Sequence, residues 1–289
     1  MENALQIEGL TKQYKGFSLQ DVTFCIPQGT VMGLIGPNGA GKTTVIKCIM
    51  NLVRKDTGEI RVFGMDPVRH GARIKERIGF VYDMPCQFGD VRLGRIASAL
   101  GPFYPEWDEK RFRDLAGKFE LPLEKVYKKL SHGTKTKFSL ALALAHNADL
   151  VLMDEPTSGL DPVFRRDLLG LLAEILQDER KSILFSTHIT SDLERIADFV
   201  TLLQNGAVVF SSPKDEILES WGMIKGGEEL KPASEWPEIR GIRTGAFGVE
   251  VLTSDTGKSR KRLGPKILIE RPSFDDIVTF THQGGKHAC

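Results

Sequence analysis

Apolar and polar residues recur with two different periods along the chain. From Phe17 to Ile26 apolar side chains occupy roughly every second position, which predicts an antiparallel strand with one buried face. Val31 to Ile35 and Leu150 to Met153 are short apolar runs, as expected of strands buried on both faces. A helical period follows the second run, from Val163 to Gln177. Strands that alternate with helices predict an α/β fold with a mostly parallel sheet.

A long helical stretch interrupts this alternation. Between about residues 92 and 146 no run is rich in β-forming residues, and apolar residues such as Leu93, Ile96 and Leu100 recur at helical spacing. We therefore predict a helical subdomain, at about residues 84–146, inserted into the α/β region. The other elements predicted for that region are strands at 59–63, 79–82 and 182–186 and helices at 42–52 and from residue 191.

A change of composition predicts two domains. Around Gly226–Gly227 the chain becomes charged and rich in glycine, so we place a linker there, between a domain at 1–225 and a smaller one at 226–289. About sixty residues bury too little surface to be stable alone. We therefore expect the smaller domain to dock on the rest of the chain or on the same segment of a partner.

The smaller domain is predicted to contain strands and a helix. One strand is predicted where apolar and other residues alternate around Val249, and a second at Ile267–Ile269. Ser273, with Asp276 three positions later, predicts the capped start of a short helix. The apolar residues of the first strand are Phe247, Val249 and Val251. This pattern predicts a small α+β appendage.

The composition is that of an ordinary globular protein. Hydrophobic residues make up 41% and charged residues 27% of the 289 residues, and the net charge of +1 gives the whole molecule no electrostatic preference for nucleic acid. A membrane span needs about 20 mostly apolar residues, and no apolar run in the sequence is that long. The first residues do not resemble a signal peptide. The four cysteines are scattered. These features predict a protein of the reducing cytoplasm.

A glycine-rich segment joins the apolar run at 31–35 to the helix predicted from Lys42. It fits the pattern G-x-x-x-x-G-K-[ST], in which backbone N–H groups turn inward around phosphates at a helix N-terminus. In such a loop Lys42 would contact the β- and γ-phosphates of ATP, and the Thr43 hydroxyl would bind Mg²⁺. Lys42 would also stabilise the phosphoryl group during its transfer. The predicted nucleotide-binding residues of this phosphate loop are Gly36, Pro37, Asn38, Gly39, Ala40, Gly41, Lys42, Thr43 and Thr44.

Two acidic residues follow the second apolar run directly. Asp154 and Glu155 come immediately after Met153, at the strand end where ligands bind in open α/β sheets. We interpret Asp154 as a Mg²⁺ holder and Glu155 as the general base for the attacking water. Two acids at a strand end are usually only solvated, but the phosphate loop favours the functional interpretation.

From about residue 5 to residue 220 the chain resembles the ATP-binding cassette (ABC) ATPases. After the phosphate loop, residues 130–135 (Leu-Ser-His-Gly-Thr-Lys) are similar to the family signature Leu-Ser-Gly-Gly-Gln. Residues 158–161 (Ser-Gly-Leu-Asp) are similar to the D-loop, and residues 186–188 end in the family's switch histidine. The resemblance implies a P-loop NTPase core with an antiparallel β-subdomain and an inserted helical subdomain.

The resemblance also assigns roles to single residues. Ser131 and Gly133 would bind the γ-phosphate of an ATP that the opposite subunit holds, and Asp161 of the D-loop would contact nucleotide. His188 would contact the γ-phosphate during catalysis. Tyr14 lies where the family places an aromatic ring that stacks on adenine.

The sequence departs from the family pattern at two places. The Q-loop glutamine, a Mg²⁺ contact, falls at Asp83, whose carboxylate can also reach a hard cation; Gln87 is an alternative if the loop is longer. The signature carries His132 in place of glycine and Thr134 in place of glutamine. These departures leave the residues that bind ATP within one subunit intact. They affect the site that would be shared with the other subunit.

These motifs imply the ATP-hydrolysing motor subunit of an ABC membrane transporter, similar to small bacterial exporter ATPases of peptides, antibiotics and other toxic compounds. The implied partners are a second ABC ATPase subunit and a transmembrane permease, which would hold the pair at the inner face of the cell membrane. Two alternatives stay open: a nucleotide-sensing module with little turnover, and a soluble ABC ATPase without a transport role. The basic cluster at 258–262 is the only hint of nucleic acid. Such short runs are usually solvated surface, so no nucleic-acid partner is expected.

Overall fold

The computed structural model describes residues 2–82, 88–245, 248–264 and 267–284. The strands of the first 220 residues are β1 (Asn3–Tyr14), β2 (Phe17–Pro27), β3 (Val31–Ile35), β4 (Thr57–Val62), β5 (Ile78–Val81), β6 (Leu150–Asp154), β7 (Ser182–Thr187), β8 (Phe199–Gln204) and β9 (Ala207–Pro213). The α-helices there are α1 (Lys42–Ile49), α2 (Gly71–Lys75), α3 (Leu93–Leu100), α4 (Glu109–Lys118), α5 (His132–Ala145), α6 (Pro162–Ile175), α7 (Thr190–Ile196) and α8 (Lys214–Ser220). The tail contains β10 (Gly222–Gly226), β11 (Ile239–Gly245), β12 (Gly248–Thr253), α9 (Thr256–Leu263), β13 (Ile269–Glu270) and α10 (Phe274–Gly284). Shorter 3-10 helices lie at Gly101–Phe103, Tyr127–Lys129 and Glu228–Glu235. None of these helices has the length and apolar content that a bilayer crossing requires.

The central sheet runs in the order β5, β6, β7, β3, β8, β9, and its neighbouring strands are parallel except for the pair β8 and β9. Every residue of β3, β6 and β7 is buried. Alternate residues of β6 enter different hydrophobic clusters, Val151 and Met153 on one face and Leu150 and Leu152 on the other. Burial on both faces explains why these strands are continuously apolar, and it confirms the predicted α/β fold.

A separate antiparallel sheet, in the order β2, β1, β4, covers part of one face. Leu5, Ile7 and Leu10 of β1 are buried in the cluster that also contains Leu150 and Leu152 of the central sheet. The opposite side of β2 carries more exposed residues. The alternation that predicted a one-faced strand from residue 17 to residue 26 is therefore confirmed, as is the antiparallel subdomain.

The helices α3, α4 and α5 lie between β5 and β6 in the chain, as predicted for the inserted helical subdomain. Asp108 caps α4 by accepting a hydrogen bond from the Arg111 N–H at 2.9 Å. The rings of Phe112 and Phe138 meet edge to face, with centroids 6.3 Å apart, and join α4 to α5. Residues 84–87, at the start of the predicted range, lie outside the described residues.

The tail forms a sheet of its own, in the order β11, β12, β10, β13. Its strand β10 covers Gly222–Gly226, so this sheet begins before the linker that composition predicts at 226–227. The strand predicted around Val249 is present as β12, and Phe247 lies outside the described residues. Of the strand predicted at 267–269 only Ile269 is in β13, because β13 pairs with β10 over just two residue pairs.

The last helix docks on the larger part of the same chain. Ser273 and Asp276 cap α10 reciprocally: the Asp276 N–H donates to Ser273 Oγ at 3.1 Å, and the Ser273 N–H donates to Asp276 Oδ2 at 3.0 Å. Phe274, Ile277 and Phe280 are fully buried in the cluster that also holds residues of β3 and β6. The tail therefore contacts its own chain, which is one of the two expected docking modes, and docking on the same segment of a partner stays a prediction.

Candidate active site

The phosphate loop connects β3 to α1 through three glycines with positive φ. At Gly36 (φ 153°) a side chain would collide with the carbonyl oxygen of Leu203, and at Gly41 (φ 111°) it would collide with Leu19 and Phe17. Gly36 and Gly41 are therefore required by close packing as well as by backbone conformation. The loop lies at the carboxyl edge of the sheet, where parallel strands end.

The N-terminus of α1 faces the space enclosed by this loop. Gly41 is its N-cap, and within the described part of the chain no side chain caps the helix. The first backbone N–H groups of α1 thus have no side-chain acceptor, and the helix dipole adds positive potential at the same place. Such a helix start is suited to phosphate oxygens.

Lys42 is almost fully buried inside the loop. Its Nζ donates to the Gly36 carbonyl at 2.7 Å and to the Pro37 carbonyl at 3.4 Å. The same Nζ lies 3.3 Å from Oε1 of Glu155, the predicted general base. The lysine predicted to contact phosphates is thus directed toward the end of β6, where the two acidic residues are.

Thr43 and Asp154 meet at the base of the loop. The Thr43 hydroxyl donates to Asp154 Oδ2 at 2.7 Å, and Asp154 is buried at the last position of β6. A hydroxyl and a carboxylate oxygen at this distance are hard ligands of the kind that Mg²⁺ binds together with substrate phosphates. The donor set of these two residues therefore fits the ion that the sequence predicts.

Glu155 and His188 form a hydrogen-bonded pair beside Lys42. Glu155 has a left-handed backbone (φ 49°), and its N–H donates to the Ser186 carbonyl at 2.9 Å, which ties it to β7. Its Oε2 accepts hydrogen bonds from the His188 backbone N–H at 3.2 Å and from Nδ1 at 2.7 Å. The Glu155 side chain is 12% exposed and that of His188 45% exposed. The carboxylate thus lies between a buried lysine and a solvent-facing imidazole.

Tyr14 lies at the edge of a groove beside the phosphate loop. Its ring is 45% exposed, and it lines this groove together with Phe17, Gly39 and Asn205. Lys12 Nζ lies 5.6 Å from the ring centroid. An exposed ring next to Gly39 is placed where a base attached to the bound phosphates can reach it, and stacking on adenine stays a prediction.

The signature residues lie at the start of α5, next to the D-loop. Ser131 caps α5, and its Oγ accepts a hydrogen bond from the Thr134 N–H at 3.2 Å. A side chain at Gly133 would reach the Gly159 carbonyl at 3.5 Å. Asp161 caps α6 through hydrogen bonds from the N–H groups of Val163 and Phe164, and these bonds, chiefly that from Phe164, lower the pKa of the Asp161 carboxyl. The helix that carries the signature and the helix that follows the D-loop therefore begin side by side.

The structure places most of the predicted residues, but not all. Lys42, Thr43, Asp154, Glu155 and His188 converge at one edge of the sheet, although they are far apart in sequence. Asp83 and the alternative Gln87 lie outside the described residues, so their predicted roles remain predictions.

One buried group near this cluster has no sequence signal. Asp192 in α7 accepts hydrogen bonds from Thr157 and Arg165 and is 2% exposed. Its position four residues after His188 matches none of the motifs, and only the folded chain brings its partners together.

The fold and this cluster define a phosphate-loop ATPase. Residues 19–158 match the family model described as "ABC transporter". The ABC transporter ATP-binding protein YtrB of Bacillus subtilis is 32% identical over 292 residues, which cover 98% of this chain and 99% of that protein. The bacitracin transport ATP-binding protein BcrA of Bacillus licheniformis is 27% identical and covers 75% of this chain and 72% of its own.

Solved structures agree with these relatives. An ATP-binding subunit of an ABC transporter superimposes with a TM-score of 0.70 at 29% identity and covers 75% of this chain and 92% of its own. The chain belongs to the ATP-binding proteins of ABC transporters. It is an ATPase of that class, it binds ATP, and its role is that of a transport ATPase.

Proposed function

We propose that this chain is the motor of an ABC exporter that moves a peptide, an antibiotic or another toxic compound out of the cell. The observation that carries the motor function in this proposal, ATP hydrolysis, is the contact of Glu155 with both Lys42 (3.3 Å) and His188 (2.7 Å) beside the phosphate loop. Glu155, which would accept a proton, therefore lies within contact distance of Lys42 and His188, which would bind phosphate. The relative named for bacitracin transport supports a cargo of that kind.

In hydrolysis Glu155 accepts a proton from the attacking water, while Lys42 and the N–H groups of the loop hold the phosphates. Phosphoryl transfer needs little covalent chemistry from a protein, so orientation and charge stabilisation supply most of the catalysis. His188, hydrogen-bonded to the same carboxylate, orients Glu155 and contacts the γ-phosphate. The left-handed backbone at Glu155 directs its side chain toward Lys42 and His188 rather than along the strand.

Thr43 and Asp154 would hold Mg²⁺ at the base of the loop, with Asp83 as a further predicted contact. When bound, the ion supplies charge neutralisation on the phosphate oxygens. The described residues contain no cluster of three or more histidine, cysteine or acidic side chains that could hold a metal. This small donor set is consistent with an ion that arrives together with ATP.

Two copies, or this chain and a similar ABC ATPase, pair head to tail in the proposed cycle. Ser131 and Gly133 of one subunit face the phosphates bound to the loop of the other, and the adjacent D-loop with Asp161 lies at the same contact. A symmetric pair of this kind uses the same surface twice. ATP then becomes part of the contact between subunits, so binding closes the pair and hydrolysis opens it.

The helical subdomain is the proposed contact with a transmembrane permease. Phe103, the last residue of the 3-10 helix that follows α3, is 75% exposed and is therefore available for a protein contact there. Such a contact would place the pair at the inner face of the cell membrane.

Three measurements test the proposal. The purified chain should hydrolyse ATP in the presence of Mg²⁺, and a tagged chain extracted from membranes in mild detergent should bring a permease with it. The extracted complex, reconstituted in vesicles, should hydrolyse ATP faster when bacitracin or a similar peptide is added than in its absence. A chain that binds ATP without turnover would support the nucleotide-sensing alternative, and turnover without any co-purified membrane protein would support a soluble role.

A further inference from the structure

A buried charged network joins the chain segments that follow Glu155 and His188. Asp192 Oδ2 accepts a hydrogen bond from the Thr157 hydroxyl at 2.8 Å, and its Oδ1 accepts one from Arg165 Nε at 2.7 Å. Thr157 and Asp192 are each 2% exposed, and the Arg165 side chain is 27% exposed. A carboxylate this deeply buried is stable only because both of its oxygens are paired.

The three members of the network belong to three different parts of the site. Thr157 follows Glu155 by two residues. Asp192 lies in the first turn of α7 and follows His188 by four residues. Arg165 lies in the first turn of α6, directly after the D-loop, and its Nη2 also donates to Ser191 Oγ at 3.1 Å.

We propose that Thr157, Asp192 and Arg165 are positioning residues for ATP hydrolysis. Their network fixes the distance between the segment that carries Glu155 and the helix that follows His188, and it ties both to the start of α6. The inference rests on the function proposed above, in which Glu155 is the general base.

The backbone at Glu155 explains why such support matters. A non-glycine residue with φ 49° is held in a sparsely populated conformation, and the surrounding structure must stabilise it. On one side the Glu155 N–H is bound to the Ser186 carbonyl. On the other side the Glu155 carbonyl accepts a hydrogen bond from the Ser158 N–H at 3.1 Å, and Thr157, between these two residues, is fixed by its hydroxyl bond to Asp192. Loss of that bond lets the Glu155 carboxylate shift relative to His188.

A purely structural role predicts a different outcome from a positioning role. If the network only stabilises the fold, its loss lowers the unfolding temperature and leaves the turnover of the folded enzyme unchanged. If it positions Glu155, its loss lowers kcat, because small displacements of a catalytic group are costly, and it leaves the KM for ATP nearly unchanged because the phosphate loop is untouched.

The test compares Thr157→Val, which removes the hydroxyl and keeps the shape, with Thr157→Ser, which keeps the hydroxyl. We expect kcat to fall about tenfold in Thr157→Val, with KM for ATP within about twofold of wild type, and to remain within about twofold in Thr157→Ser. Both variants are assayed well below their measured unfolding temperatures. A kcat within twofold of wild type in Thr157→Val, or an effect on KM instead of kcat, would overturn the proposal.

A second comparison identifies the residue through which the network acts. In a Glu155→Gln background, Thr157→Val should cause no further loss of the residual single-turnover rate, because the effect passes through Glu155. An additional tenfold loss there would contradict the proposal. If Thr157→Val does not fold, Arg165→Lys takes its place, since it keeps the charge and loses the two-point contact with Asp192 and Ser191. Full turnover in Glu155→Gln alone would instead refute the function proposed for Glu155.

Discussion

The helices α1 and α5 both begin at residues assigned to phosphate binding, yet their first turns differ. Gly41, with a left-handed backbone, precedes α1, and no side chain among the described residues caps it. Ser131, with an extended backbone, precedes α5, and its own hydroxyl accepts the hydrogen bond from the Thr134 N–H. The start of α1 thus leaves its N–H groups for an external anion, whereas the start of α5 already satisfies one of them.

The residues that lie near the two helix starts differ as well. Beside α1 lie Lys42, the Thr43–Asp154 pair and Glu155, so groups for binding and for chemistry are gathered within one chain. Beside α5 lie Gly159 and Leu160 of the D-loop. The difference is consistent with a first site that binds nucleotide by itself and, in the proposed dimer, a second site that acts only when another subunit supplies the phosphates.

Among these predictions, Glu155→Gln should lower ATP turnover most. This variant separates ATP hydrolysis from ATP binding at α1 and from dimer formation through α5. The amide cannot accept the proton of the attacking water, so we expect ATP turnover to fall by about 10²–10⁴-fold. ATP should still bind at α1, and dimers joined through α5 should accumulate. Steady-state ATPase assays and light scattering with and without Mg-ATP measure both. A variant that stays monomeric with ATP would argue against the shared site.

Lys42→Ala should break the α1 site itself. Loss of one preorganised charge on the phosphates should cost about 2–4 kcal/mol in the transition state, and nucleotide binding should weaken as well. Circular dichroism should show an unchanged fold. Nucleotide affinity distinguishes this variant from Glu155→Gln, which keeps its ATP. Turnover within a few-fold of wild type would refute the assignment of the phosphate loop.

Ser131→Asp should disturb the α5 site alone. Aspartate caps a helix as well as serine does, so stability should be unchanged, but its charge would repel the γ-phosphate of the opposite subunit. We expect turnover to fall about tenfold while the affinity of the monomer for ATP stays the same. Ser131→Thr is the matched control, because it caps without charge and should remain near wild type. Equal turnover in the two variants would place Ser131 away from the shared phosphates.

The smallest expected effect concerns Cys48 in α1. Burial raises the pKa of its thiol from the ordinary 9.0 to about 11. Between these values the unfolded chain loses the proton and the folded chain keeps it, so the stabilisation is complete below about pH 9 and declines above it. Relative to Cys48→Ala, wild type should lose less than about 1 kcal/mol of unfolding free energy between pH 8 and pH 9.5. Urea unfolding at the two pH values measures this difference, and parallel changes in both proteins would contradict it.

The parts of the molecule that the sequence predicted depend on local patterns. Strands buried on both faces are continuously apolar, and a phosphate loop needs glycines at fixed spacing, so β3, β6 and the loop could be recognised directly. The capped start of α10 was equally clear, because Ser273 and Asp276 are only three positions apart.

The remaining parts depend on partners far away in the chain. The linker predicted at 226–227 adjoins β10 (Gly222–Gly226), which is a strand because β12 and β13 pair with it. Asp192 belongs to no motif, since its partners Thr157 and Arg165 are brought to it by folding. Local spacing carries no information about either contact.

The burial of α10 has a consequence for the way the protein is made. Phe274, Ile277 and Phe280 complete a core that also includes Leu193 of α7 and Val31 of β3. During synthesis the phosphate loop and the switch histidine leave the ribosome before α10, so this core is still incomplete at that stage. Because domains generally fold as units during synthesis, we expect the nucleotide site to reach its final folded structure only after residues 274–284 have left the ribosome. Assembly with a membrane partner would then begin with chains whose α10 is already in place.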